Sequence, residues 1–187
     1  MFIQTETTPN PATLKFLPGR EVLAGPARDY RSVDDAKTSP LAPQLFTINR
    51  VAGVFLSDDY ITITKVGAEW QHLKPAILGV IMDFFLSGVP VVDVDSQAEV
   101  AAGDEEFFET TDAETVATIK ELLETRVRPA VSQDGGDIVF RGFRDGVVFL
   151  HMRGACAGCP SSTMTLKHGI ENLLRHFLPD VTEVRPV

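Results

Sequence analysis

Apolar positions along the chain follow two periods, and the changes between them divide it into two patterned stretches around one without a pattern. In the first stretch, Val51-Ala52-Gly53-Val54-Phe55-Leu56 and Tyr60-Ile61-Thr62-Ile63-Thr64-Lys65-Val66 are β-rich runs separated by Asp58-Asp59, which predicts two strands about a turn. Trp70, Leu73, Ile77, Val80, Ile81 and Phe84 then fall on one face of a helix. Upstream, residues 3–6 and 13–17 read as short extended pieces around Thr8-Pro9-Asn10-Pro11, and Pro18-Gly19 closes the second. Ser39-Pro40 predicts a short helix through Phe46, because a serine oxygen accepts from the open amides of a helix start and proline fits its first turn.

The second stretch begins at Thr111-Asp112-Ala113-Glu114, which has the spacing of a capping box. Val116, Ile119, Leu123 and Val127 continue as a helical stripe that Pro129 is expected to kink or end. Asp134-Gly135-Gly136-Asp137 turns the chain, and residues 138–143 and 147–152 predict a hairpin across Asp145-Gly146. After a cysteine pair comes a helix carrying Ile170, Leu173, Leu174 and Phe177, stopped near Pro179; residues 181–187 add an edge strand. The predicted class is α+β, two small α/β domains at 1–88 and 111–187, the second in the order α-β-β-(CxxC)-α-β.

Between them, residues 89–110 read as an acidic, flexible linker. From Asp93 to Glu114 there are nine acidic residues and no basic one, which leaves 17 acidic against 17 basic elsewhere, so this block carries the whole net charge of −9. Like charges repel, and only Phe107-Phe108 offers bulk for docking. A flexible run of ~20 residues spans on the order of 25 Å. No segment presents a basic stripe, so nucleic acid is not an expected partner.

Composition adds exclusions. Of 187 residues, 44% are apolar and 23% charged, as in a globular protein. Lys74, Pro75 and Asp83 interrupt the most apolar run, 73–92, so no membrane span is expected. Met1-Phe2-Ile3-Gln4-Thr5-Glu6 has neither the basic nor the apolar part of a leader. Two cysteines spaced C-x-x-C suit a reducing compartment with a metal or redox site.

That pair, Cys156-Ala157-Gly158-Cys159, lies between the hairpin and the last helix, and Pro160-Ser161-Ser162 marks the helix start. Open amides and the helix dipole there favour thiolate over thiol. Tetrahedral zinc and iron–sulfur clusters each take about four thiolates. One chain therefore supplies half a site, which a two-fold dimer can complete, or else the pair does dithiol redox chemistry alone, as in a thioredoxin-like oxidoreductase. Zinc bridging two chains through four cysteines is a further alternative. His72, His151, His168 and His176 have no partner at ligand spacing, and Asp134 and Asp137 flank what reads as a turn.

The combination of Asp134-Gly135-Gly136-Asp137 with Gly154-Ala155-Cys156-Ala157-Gly158-Cys159-Pro160-Ser161-Ser162 resembles the signature of the NifU C-terminal domain. Met1-Phe2-Ile3-Gln4-Thr5, Thr8-Pro9-Asn10-Pro11, Lys15-Phe16, and Phe55 followed by Tyr60-Ile61-Thr62-Ile63-Thr64-Lys65 are similar to the Nfu N-terminal domain. In order and coverage the chain resembles the Nfu family of iron–sulfur proteins. The resemblance implies a scaffold or carrier, not an enzyme. It implies that Cys156 and Cys159 of each of two subunits hold one [4Fe-4S] cluster, with a homodimer forming on cluster binding. Gly154, Ala155 and Gly158 would let backbone amides approach the sulfides. Cluster assembly proteins would be the source, apo iron–sulfur proteins the clients, and the N-terminal domain a docking module. The match is to the branch found in mitochondria and alphaproteobacteria. With no leader in view, the expected location is the bacterial cytoplasm, or the mitochondrial matrix for a trimmed eukaryotic form.

Overall fold

Leu14 and Phe16, Val54 and Leu56, and Ile61 and Ile63 each sit two apart, and this spacing puts all six on one buried face of a five-stranded sheet. The strands are β1 (Gln4–Thr7), β2 (Thr13–Leu17), β3 (Arg28–Tyr30), β4 (Val51–Leu56) and β5 (Ile61–Lys65), antiparallel in the order β1-β2-β5-β4-β3. The computed structural model describes residues 1–93 and 105–187, which belong to two units, each with its own core. In the first unit, helix α2 (Trp70–Ser87) covers the sheet with Leu73, Ile77, Ile81, Phe84 and Phe85, and Gly88 ends it in the left-handed conformation at φ 72°. Burying each such side chain contributes about 1.5–3 kcal/mol.

The short helix α1 (Ala42–Phe46) starts as expected from Ser39, whose Oγ accepts from the amides of Leu41 (3.2 Å) and Ala42 (3.1 Å). The same hydroxyl donates to the carbonyl of Val91 at 2.6 Å. Val91 and Val92 are buried in this core, and the Asp93 amide donates to the Thr38 carbonyl. The beginning of the expected linker is thus packed on the first unit. Its middle, residues 94–104, lies outside the described residues.

In the second unit, helix α3 (Ala113–Leu122) has no side-chain cap; the chain enters it through a 3-10 turn in which the Asp112 amide donates to Glu109. The capping box expected at Thr111 and Glu114 does not form: the first turn is closed by backbone carbonyls, with the Ala113 amide donating to Thr110. Pro129 does not end the helical run. One π-helical turn, Leu123–Val127, widens the coil and leads into α4 (Arg128–Gln133), with Pro129 in its first turn where the missing N–H costs least. The hairpin β6 (Gly136–Arg144) and β7 (Val147–Gly154) follows, with Asp145 (φ 51°) and Gly146 (φ 76°) forming the tight turn. After α5 (Pro160–Phe177), strand β8 (Glu183–Pro186) pairs parallel to β7. Val148, Leu150 and Met152 of β7 face the core with Val116, Ile119, Ile170, Leu174 and Val184. The segment before α3 is held too: the Phe107 amide donates to the Arg141 carbonyl and its carbonyl accepts from the Phe143 amide, a single parallel bridge at the edge of β6. Among the described residues no helix is long and apolar enough to cross a membrane.

A side chain on Gly146 would meet the Asp180 carbonyl oxygen at 2.7 Å, in a backbone conformation that L-residues rarely adopt. Gly146→Ala is therefore expected to cost about 1–3 kcal/mol by urea denaturation. A change below a few tenths would show that the turn and the segment leading to β8 are not locked together.

Candidate metal centre

Strand β7 stops at Gly154, whose φ of 64° turns the chain out of the sheet, and Gly158 (φ 85°) turns it again before α5. Cys159 is extended (φ −107°, ψ 106°) and sits at the N-cap of α5, with Pro160 as the first helical residue. Four hydrogen bonds fix the loop between these turns. The Ala155 amide donates to Gly135 at 3.2 Å, the Ala157 amide to Gly154 at 3.1 Å, the Thr163 amide to the Cys159 carbonyl at 2.9 Å, and the Thr163 hydroxyl to the Cys156 carbonyl at 2.9 Å. The amides of Ala155 and Ala157 are thus engaged within the fold rather than held ready for a ligand.

The two sulfurs are unequal. Cys156 is 7% exposed and belongs to the core of the second unit, whereas Cys159 is half-buried with its Sγ 3.4 Å from Ser161 Oγ. Cys156 reaches its place because residue 136 is glycine. A Cβ there would stand 2.5 Å from Cys156 Sγ and 2.9 Å from the Arg153 carbonyl oxygen. The Gly-Gly turn predicted from the sequence is therefore also a seat for sulfur.

Burial, reinforced by the charges of Asp134 and Asp137, pushes the Cys156 thiol up to about 12. The sequence led us to expect that the helix start favours thiolate at both positions. Only Cys159 sits at that start; Cys156 lies three residues earlier, in a dry and negatively charged setting. Coordination to a metal deprotonates such a thiol outright, so a soft metal can still recruit it.

Asp137 is buried and held by Arg128, Nε to Oδ1 at 2.9 Å and Nη2 to Oδ2 at 3.1 Å. Arg128 also reaches Glu124 at 2.7 Å. The hydrogen bond with Asp137 is the main reason the guanidinium is held charged more firmly than usual. Asp137 thus ties α4 to the start of β6. No sequence signal marked Arg128, since the pair closes only after the Gly-Gly turn. His151 Nδ1 lies 3.0 Å from the Val187 carbonyl oxygen, and His176 packs edge-on against Phe177. Among the described residues no three His, Cys, Asp or Glu side chains gather as a metal site. The loop carries both sulfurs, and a C-x-x-C pair of this kind suits a soft metal shared with ligands from elsewhere.

Iodoacetamide at pH 8 is expected to label Cys159 at least about tenfold faster than Cys156, because alkylation needs an accessible thiolate. Gly136→Ala should unseat the buried sulfur and narrow the gap. Peptide mapping by mass spectrometry reads both rates; equal labelling of the parent protein would refute the inequality.

Comparison with known proteins sets this loop in a family. The model described as scaffold protein Nfu/NifU N terminal matches residues 3–88, and that of the NifU-like domain matches residues 119–185. Curated proteins described as NFU1 iron-sulfur cluster scaffold homolog, mitochondrial, are similar along 100% of this chain, at 52% identity in Drosophila sechellia and 49% in Homo sapiens. The chain spans 65% of the length of the first and 72% of the second. A solved NifU-like protein from Saccharomyces cerevisiae aligns with 50% of this chain and 86% of its own, at 27% identity and a TM-score of 0.46. With both family domains in order and about half of its residues identical to these relatives, the chain belongs to the Nfu family of iron–sulfur cluster scaffold proteins.

Proposed function

We propose that two copies of this chain hold one [4Fe-4S] cluster through Cys156 and Cys159 of each, and pass it to apo iron–sulfur proteins. The observation that carries this reading is the pair of sulfurs on one glycine-hinged loop, in a chain with no other cysteine. Four thiolates complete such a cluster, and two copies supply four. The cluster is cargo. Its hold depends on this chain's own residues: Gly136 gives Cys156 its seat, Pro160 fixes Cys159 at the helix start, and the Arg128–Asp137 pair keeps β6 in register beneath them.

The inequality of the sulfurs suits a carrier. A buried ligand anchors, and a half-exposed one leaves an edge by which an acceptor thiolate can enter. On this reading the chain carries cargo without turnover, takes it from cluster assembly proteins, and uses the first unit to dock partners. The relatives are named mitochondrial, which supports the matrix over the bacterial cytoplasm.

Anaerobic reconstitution should give about four iron and four sulfide per two chains, with sedimentation of a dimer. Cys156→Ser and Cys159→Ser should each lose the cluster while keeping the fold. A colourless zinc protein, or a full cluster retained by Cys159→Ser, would sink the reading.

A fragment of residues 105–187 should also take up the cluster, and its transfer to some apo-acceptors should fall relative to the full chain. Beginning the fragment at Thr111 would delete the bridge at Phe107. That shorter form should melt about 4–8 °C lower by circular dichroism, the effect of about 1 kcal/mol in a domain of this size. Equal melting would show the bridge to be dispensable.

A further inference from the structure

The face of the second sheet that is turned away from the core is built around two aromatic rings. Phe149 on β7 alternates with the buried Val148 and Leu150, so it points to the other side. Opposite it on β6 is Gly142, next to the bulge between Phe140 and Gly142. The ring of Phe107 lies directly over Gly142, where a Cβ would meet three of its carbons at 2.5–2.6 Å, and it packs on Phe149 at 5.0 Å between centroids. Two guanidinium groups frame the rings, Arg144 at 5.3 Å from Phe107 and Arg185 at 5.8 Å from Phe149. Lys120 pairs with Glu106 and lies 6.0 Å from the Phe108 ring.

The chain thus displays what this face accepts: an extended backbone, an aromatic ring seated on a glycine, and a carboxylate beside a lysine. Its own strap fills the place thinly. Phe107 makes one bridge with two backbone hydrogen bonds, and Phe107 and Phe108 stay 38% and 40% exposed. β6 has nine residues along this edge, and among the described residues the only isolated bridge to it is the one at Gly142. Exposed strand edges recruit extended segments by adding a strand.

We propose that this edge and face form a docking site for an extended segment of a partner protein that carries acidic residues just before an aromatic one, and that residues 105–108 hold the site in its absence. The Phe107 bridge is parallel, so the part of a docked segment upstream of its aromatic would run from Gly142 toward Gly136, about 20 Å of strand. Gly136 is where Cys156 Sγ rests. Granting the cluster-carrying reading above, a partner held in this way is drawn toward the cysteine loop along β6. Lys120, which holds Glu106 in the strap, meets the acidic residue before the aromatic, and Arg144 and Arg185 hold the rings themselves.

The probe is a fluorescein-labelled peptide with the sequence of residues 105–111, Glu-Glu-Phe-Phe-Glu-Thr-Thr, titrated with full-length apo protein and followed by anisotropy. Phe107→Ala empties the seat and should tighten binding about tenfold, the gain when a nine-tenths-occupied site is vacated. Adding Arg144→Glu to that variant should reverse the gain. Gly142→Ala loosens the strap but fills the seat, so it should bind the peptide no better than the parent. A peptide with both phenylalanines replaced by alanine should not bind. If Phe107→Ala fails to fold by circular dichroism, Phe107→Leu serves, keeping an apolar contact without the ring. Peptide affinity unchanged by emptying the seat overturns the proposal, and so does an oligouridine that outcompetes the peptide in an Arg144-dependent way. Cluster uptake by Cys156 and Cys159 is measured separately on the same variants, so a failed dock leaves the carrier reading standing.

Discussion

The contact between Cys156 Sγ and the bare α-carbon of Gly136 is the constraint around which the second unit is arranged. Any side chain at residue 136 would occupy the sulfur's place. With glycine there, the loop after β7 folds back on the beginning of β6, and the Ala155–Gly135 hydrogen bond closes it. The Gly-Gly turn must then be held in position, which the buried Asp137 does through Arg128 on α4. Removing Arg128 would leave the Asp137 carboxylate buried without its guanidinium, a loss well beyond the worth of a surface bridge. The widened turn ahead of Pro129 belongs to the same arrangement, since it delivers Arg128 to the first residue of α4.

Both units are clasped where the acidic segment meets them, by different chemistry. On the first, one serine hydroxyl caps α1 and holds the Val91 carbonyl, with two valines buried behind it. On the second, an aromatic ring covers a glycine at a bulge in an edge strand. In both, the apolar residues of the segment, Val91, Val92 and Phe107, are what the unit holds.

What was legible in the sequence was local. β-rich runs bounded by turn residues located β2, β4, β5, β6 and β7, Asp-Gly located the hairpin turn, and Ser39-Pro40 located a cap, because each rests on neighbours within a few positions. β3 was not visible: Arg28-Asp29-Tyr30 has no alternation of its own and pairs only because β4 offers an edge. Val91 and Val92 follow Gly88-Val89-Pro90 and look like the start of a linker; their burial comes from a cavity shaped by distant residues. In the metal centre, two sulfurs on one loop could be read directly. Their inequality could not, since it depends on Gly136 and on two aspartates brought close by folding. The same holds for Arg128, whose partner is nine positions away across a turn.

The parallel pairing of β8 with β7 sets an order of events during synthesis. Val184 on β8 is wholly buried and completes the core that covers Cys156, yet it is made well after the cysteine loop. A ribosome adding roughly 5–20 residues per second needs about one to six seconds to pass from the loop to that strand. Through that interval the hairpin and its helix have no closing strand, and neither thiol has its final cover. Cys156, the protected sulfur of the finished protein, is therefore complete in its cover only when one of the last strands to be made has joined the sheet.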